Sequence, residues 1–202
     1  MRFGTPPVLE NGTRDYFIAC RGQGTAMPGT EEVDIVDDDD AVIGGAPLSD
    51  CLEKGLLHRA VAVLVRRSSG SYVLQRRSES DLWNPGMWTI SCTGHVRRGE
   101  SYLQAAAREL SEELGIGGSL RLLFKLKLPP IREGSFTEHE WTTFFITATD
   151  DPVTPDPQEL SGVRELSKAE LERMVEGGSL TEDAKILLRR YLRRSNPKTA
   201  EH

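Results

Sequence analysis

Residues 94–116, GHVRRGESYLQAAARELSEELGI, form the stretch on which the fold turns. Ser101 opens a helix as its N-cap, Gln104 stands at the matching capping-box position, and Gly115 closes it. At about 100° per residue, with Glu109 at zero, Glu112 falls near −60° and Glu113 near +40°. Leu103, Ala107, Leu110 and Leu114 fall between roughly 100° and 160°. The spacing therefore predicts a packing stripe with an arc of three carboxylates beside it. Such neighbours repel by a few tenths of a kcal/mol per exposed pair, so the crowding is useful only with a cation over it. Hard divalent ions such as Mg²⁺ take oxygen ligands and bridge to phosphates, which suits this helix face to a phosphorylated substrate.

Outward from this helix the chain alternates strands and helices. Ala60–Val65 is an unbroken apolar run, as in a strand covered on both faces, and residues 72–77 return after the turn at Ser68–Ser71. Residues 88–92 read as a short strand after Asn84-Pro85-Gly86. Leu120, Leu122, Phe124, Leu126 and Leu128 alternate with mostly polar residues until Pro129-Pro130. Residues 141–148 and a segment at Val163 are further strands. Ser167 with Glu170 caps a helix, and Ala184, Leu187, Leu188, Tyr191 and Leu192 stripe the last one. Upstream, residues 32–45 read as a hairpin whose Asp37–Asp40 tip is a solvated turn in preference to a metal site, because adjacent like charges repel and Asp suits turns. A short helix with Asp50 as N-cap and Gly55 at its end follows. Residues 1–31 read as a loosely ordered arm and 195–202 as a tail. This order predicts an α/β fold with a mixed sheet between helical layers.

Composition narrows the function. The 202 residues carry 31 Asp and Glu against 25 Lys and Arg, a net charge of −6, which disfavours a nucleic acid polymer as partner. No apolar run approaches the length of a membrane span, and Tyr16–Cys20 is too short for a secretory core. Three cysteines, Cys20, Cys51 and Cys92, do not make a disulfide framework, so a cytoplasmic setting is expected. A homodimer is compatible with the sequence.

The pattern Gly94, five residues, Glu100, seven residues, Arg108-Glu109-Leu110, one residue, Glu112-Glu113, one residue, Gly115-Ile116 resembles the complete signature of the Nudix family. All nine positions are met, against a chance expectation on the order of 10⁻⁸ in a chain this long. The resemblance extends over residues 32–194. It implies an α/β/α sandwich, with an N-terminal β-hairpin as an extension, that binds Mg²⁺ or Mn²⁺ and hydrolyses a small-molecule diphosphate. By position, Glu109, Glu112 and Glu113 would be metal ligands, with the Gly94 carbonyl facing the metal. Arg108 would hold a glutamate by a bidentate pair. One of the three glutamates, or a loop carboxylate such as Glu159, would orient or deprotonate the attacking water. Glu100 is a second candidate near the metal. Arg76 and Arg77, at a strand end, are candidates to grip a phosphate or are surface charges.

A second resemblance, from Val33 through His58 and along residues 88–95, is to the Nudix branch containing type I isopentenyl-diphosphate isomerase. That enzyme uses three His and two Glu on a divalent metal, with a Cys and a Glu for proton transfer. His58, His95, Glu138 and Glu140 match four of the metal positions. The fifth holds Cys51, and the catalytic Cys position holds Thr93, a far weaker acid. Cys92 is adjacent, but one residue along a strand turns it to the opposite face. The two histidines could instead be structural. The resemblance therefore implies hydrolysis first, with isomerisation as the alternative and a catalytically silent ligand-binding domain third. Trp83 and Trp88 would serve core packing or line a pocket.

Overall fold

The computed structural model describes residues 15–17, 31–81 and 83–195. Apart from 15–17, the predicted arm lies outside the described residues up to residue 30, and the predicted tail does so beyond residue 195. In chain order the elements are β1 (Asp15–Phe17), β2 (Glu32–Val36), β3 (Val42–Pro47), α1 (Leu48–Lys54), β4 (His58–Arg66), β5 (Tyr72–Arg77), β6 (Trp88–Thr89) and β7 (Cys92–His95). They continue with α2 (Tyr102–Leu114), β8 (Arg121–Lys127), β9 (Ile131–Glu133), β10 (Phe136–Glu138), β11 (Glu140–Ala148), β12 (Leu160–Leu166), α3 (Lys168–Glu176) and α4 (Glu182–Ser195).

Ten strands form one mixed sheet with the central order β1-β12-β5-β4-β11-β8, while β9 and β10 make a separate hairpin. β4 runs parallel to β11, from His58 opposite Glu140 to Arg66 opposite Ala148. β4 serves two other partners in turn. Its first half pairs with β7, Ala60 opposite His95 through Val63 opposite Cys92. Its end pairs with β5 at Val65–Val73 and Arg66–Tyr72 alone. Beyond that point β5 and β6 diverge from β4 and β7, and the sheet opens into a cleft.

Because strand side chains alternate, β4 feeds two cores. Val61, Val63 and Val65 pack with Ala105, Ala106, Leu110 and Leu114 of α2, whereas Ala62 and Leu64 pack with Leu171, Val175, Leu187 and Leu188 of α3 and α4. Burying each such leucine contributes about 1.5–3 kcal/mol. A third cluster of Val33, Leu48, Cys51 and Leu52 seats α1 against the β2–β3 hairpin. This is the expected α/β/α sandwich with a mixed sheet and a hairpin extension.

Several expectations are corrected. The arm contributes a strand, Asp15–Phe17, antiparallel to β12. α1 starts at Leu48, behind Pro47, so Asp50 lies in its first turn, paired with Lys54 at 2.6 Å. Residues 88–95 form two short strands, because Ile90 and Ser91 carry the chain from β5 across to β4. The Asp37–Asp40 tip is a turn, with Asp40 at φ 62° and the Asp37 carboxylate accepting from the amides of Asp39 and Ala41. It is not fully solvated: Asp40 is held by Arg59 at 2.7 Å, Lys125 at 2.5 Å and Tyr102 at 3.0 Å. The capping boxes at Ser101–Gln104 and Ser167–Glu170 are both formed.

The predicted stripe on α2 is rotated. Leu103 is 54% exposed and Ala107 is exposed, while the buried face runs through Ala105, Ala106, Glu109, Leu110, Glu113 and Leu114. Two of the three carboxylates therefore lie within the packing face, because that face looks into the cleft of the sheet.

Candidate active site

The cleft between the diverging strands widens into a cavity of about 930 Å³. Ala60–Ala62, Thr93, Gly94 and His95 line one wall, and Gln75, Arg77 and Thr89 the other. Two groups of side chains face it from opposite sides of the sheet.

The first comes from α2. Glu109 is 8% exposed and Glu113 5%, while Glu112 reaches outward. Gly94 on β7 is packed so closely that a Cβ there would stand 2.2 Å from the Glu109 carboxylate carbon. Arg108 organises this side. It grips Glu100 with two nitrogens, Nε to Oε1 at 3.1 Å and Nη2 to Oε2 at 2.9 Å. It also donates to Glu109 at 2.5 Å, to Glu112 at 3.2 Å and to the His95 carbonyl at 3.0 Å. The bidentate partner is thus Glu100, with Glu109 and Glu112 each held by one bond. Burial raises the Glu109 pKa to about 7 against the opposing pull of Arg108. Burial, then Glu109 and Glu159, push Glu113 well above the ordinary carboxylate range. The Glu113 Oε2 atom is buried without a hydrogen-bond partner. A buried, crowded pair of carboxylates with an orphaned oxygen is what a divalent cation would resolve. The donor set fits Mg²⁺ or Mn²⁺.

The second group comprises His58, His95, Glu138 and Glu140, whose donor atoms all lie within 4.8 Å of one another. Parallel pairing of β4 with β11 sets His58 beside Glu140, and pairing of β4 with β7 brings in His95 next to Ala60. His95 Nε2 lies 3.4 Å from Glu140 Oε1 and 3.9 Å from Glu138 Oε2. His58 is fully buried, and its Nδ1 is 2.8 Å from the Leu56 carbonyl. That contact makes Nδ1 the protonated nitrogen and leaves the Nε2 lone pair aimed inward, where it has no hydrogen-bond partner. Burial and the neighbouring His95 lower the His58 pKa to about 4, so it is neutral, as a ligand must be. Burial acts to lower His95 as well, but the two carboxylates overcome it and hold its pKa well above the usual value. Burial and Glu140 raise Glu138 to about 7. The group fits a second divalent ion with mixed nitrogen and oxygen donors.

The remaining candidates separate cleanly. Cys51 is buried with Val33, Leu48 and Leu52 and is not one of the four clustered donors; burial pushes its thiol up to about 11. Thr93 lines the cavity, whereas Cys92 is fully buried in the core beneath α2. Arg77 lines the cavity, with Nε on the Trp83 carbonyl at 2.7 Å and Nη2 on Asp81 at 2.6 Å. Arg76 does not: one residue along β5 it turns to the other face, onto Glu79 at 2.8 Å and the Gly86 carbonyl. Trp83 lines the cavity, while Trp88 is in the core. Glu159 also lines the cavity, with its pKa raised first by burial and then by Asp156.

Two lining residues escape a reading by motif. Gln75 alternates with Arg77 on β5 and shares its face, a signal that strand periodicity carries. Asp183, in the first turn of α4, reaches the cavity beside Glu138, and burial raises its pKa. Its sequence context is that of an ordinary acidic first turn. Apolar side chains of Leu48 and Leu52 on α1, with Ile131 and Phe136 of the β9–β10 hairpin, add to the lining.

A family model described as NUDIX domain matches residues 56–189. An isopentenyl-diphosphate Delta-isomerase of Serratia proteamaculans is 36% identical over 125 residues, 62% of this chain and 70% of that protein. A protein of Pseudomonas aeruginosa, named as an uncharacterized Nudix hydrolase, is 34% identical over 135 residues, 64% and 74% of the two chains. A crystal structure from Deinococcus radiodurans superposes with a TM-score of 0.66 at 26% identity, covering 79% of this chain and 98% of that one.

Proposed function

The chain belongs to the Nudix family, and from that premise we propose that it is a Mg²⁺- or Mn²⁺-dependent hydrolase of a small-molecule diphosphate. One observation carries the reading: Glu109 and Glu113 are buried side by side against a cavity that Glu112 lines from its exposed side, and the Glu113 Oε2 atom has no hydrogen-bond partner. Ions held there would offset the charge of a diphosphate and acidify a water. Each residue has a part in this. Glu109, Glu112 and Glu113 would hold the ion, with Gly94 giving Glu109 room beside the backbone. Arg108 is a positioning residue, fixing Glu109 and tying α2 to β7 through the His95 carbonyl. Glu159, which lines the cavity outside the ligand set and whose proton affinity is raised by burial, would take the proton of the attacking water. Arg77 is set to meet a phosphate. A cytoplasmic setting accords with Cys51 and Cys92 being free thiols, and no described helix is long and apolar enough to cross a membrane.

The four clustered donors His58, His95, Glu138 and Glu140 favour a second reading, isomerisation of isopentenyl diphosphate, which the names of several relatives support. Thr93 weighs against it, since an alcohol there is too weak an acid to protonate a double bond.

Phosphorus NMR of a diphosphate library incubated with the protein and Mg²⁺ tests the proposal. Hydrolysis predicts cleavage products from at least one member. Deuterium uptake from heavy water into an intact prenyl diphosphate, with no cleavage of any member, would replace it with the second reading.

A further inference from the structure

Carboxylates crowd the cavity, and a diphosphate entering it brings further negative charge. Among the described residues no lysine lines the cavity, and the only arginines that do are Arg77 and Arg97. Arg77 is committed in part, through Nε to the Trp83 carbonyl and through Nη2 to Asp81. Arg97 follows β7, on the wall opposite Arg77.

The backbone of Arg97 is anchored. Its amide donates to Glu100 Oε2 at 3.1 Å, its carbonyl accepts from the Glu100 amide at 2.8 Å, and it bridges to Val33 of β2. Glu100 is the carboxylate that Arg108 grips with two nitrogens, so Arg97 stands on the same frame that fixes Glu109 and Glu112. The side chain, by contrast, is 47% exposed and lightly engaged. Its Nε donates to Glu31 at 2.7 Å. Its Nη2 lies 3.5 Å from Glu112 Oε2, and among the described residues neither Nη nitrogen makes a hydrogen bond.

A guanidinium tethered by Nε keeps its outer edge, two parallel donors that match two oxygens of a phosphate. Here that edge stands beside Glu112, the most exposed of the three signature glutamates. A long contact between half-exposed charges is weak and is given up at little cost. We propose that Arg97 is a substrate-binding residue, which leaves Glu112 when that carboxylate turns to a divalent ion and takes two oxygens of a substrate phosphate. This assignment rests on the proposed role of Glu112 as a metal ligand. Arg77 and Arg97 then hold the diphosphate from opposite walls. The phosphate that Arg97 takes is the one nearer solvent, because Arg97 stands by exposed Glu112 and not by buried Glu113.

Isothermal titration calorimetry of the full chain tests this, with Mg²⁺ alone and with methylenediphosphonate in the presence of Mg²⁺. Arg97→Gln should weaken diphosphonate binding roughly tenfold, the loss of a two-bond charged contact. The same variant should bind Mg²⁺ alone as tightly as the wild type or more tightly, because a cation competing for Glu112 is gone. Arg97→Lys keeps the charge and loses the fork, so its diphosphonate affinity should fall between the two. A diphosphonate affinity unchanged by Arg97→Gln overturns the proposal. So does a loss of Mg²⁺ and diphosphonate affinity by one common factor, which would make Arg97 a support of the metal site alone. Neither result touches the hydrolase assignment, whereas a wild type that takes up no Mg²⁺ in either titration removes both.

Discussion

Gly94 and Glu109 are in contact with no space for a further atom: a Cβ on Gly94 would fall 2.2 Å from both Cδ and Oε1 of that glutamate. The glutamate cannot swing aside without breaking its 2.5 Å bond to Arg108. Gly94→Ala should therefore displace the carboxylate. The overlap costs about 1–3 kcal/mol. The expected outcome is a melting temperature about 2–12 °C lower. The weakened Mg²⁺ or Mn²⁺ binding that accompanies it is read by calorimetry. Unchanged metal affinity would show that the contact has no bearing on the site.

Glu113→Gln keeps the shape of the side chain and removes its charge. The orphaned Oε2 and the burial of Glu113 make its charge unfavourable in the metal-free protein, so this variant should fold normally and be as stable as the parent or more so. Its hydrolytic turnover, and that of Glu112→Gln, should fall at least a hundredfold, on the order of one lost charge-stabilising group. Parallel steady-state kinetics and thermal melts separate the two effects.

Arg108→Lys retains charge and loses geometry. One ammonium cannot span Glu100 with two nitrogens while also reaching Glu109 and the His95 carbonyl. Stability should drop by about 1–3 kcal/mol, the cost of leaving partly buried acceptors unmet. Turnover should fall by a larger factor than KM rises, because Arg108 acts by holding Glu109 and not by touching substrate. Urea melts and kcat with KM taken separately check this.

Stability without metal should decline as pH rises from about 4.5 to 8. Glu109 and Glu138, at about 7 in the folded state, exceed the unfolded value of 4.5, so the native state holds protons that the unfolded state has lost. The slope of stability against pH is then negative, and that contribution disappears as pH passes through 7. His95, also raised, acts in the same sense. His58, lowered to about 4, stays neutral in the native state, while the unfolded imidazole charges below about 7.5; it opposes the decline there and costs stability as pH falls. Melting temperatures with a chelator should follow this decline, and added Mg²⁺ or Mn²⁺ should flatten it.

Much of the sheet sandwich could be read from local rules, since β4 announces itself as an apolar run and α2 and α3 carry their capping boxes. The rotation of α2 could not. Helical periodicity puts Leu103 and Leu110 on one stripe, but only the divergence of β5 from β4, a long-range matter of pairing, decides that Glu109 and Glu113 look inward. The β9–β10 hairpin was hidden for a similar reason: three-residue strands around Gly134 lack the length for alternation to register. Within the site, the signature residues and the His58, His95, Glu138 and Glu140 group were legible as motifs. Arg76 and Arg77 were indistinguishable until β5 gave them opposite faces. Asp183 stood silent because an acidic residue near a helix start already has a sufficient local reason to be there.

The cleft owes its existence to β4 keeping only two residues in register with β5. The consequence is a division between chassis and aperture. Apart from Glu138, which ends β10, the candidate donors sit on strands and a helix tied into the two large cores, whereas Leu52, Ile131 and Phe136 belong to α1 and a two-stranded flap outside the central sheet. Changes at Leu52, Ile131 and Phe136 can retune which molecules fit while the groups held by the central sheet and α2 stay in place. The same scaffold can thus pass through many specificities in evolution without dismantling its core.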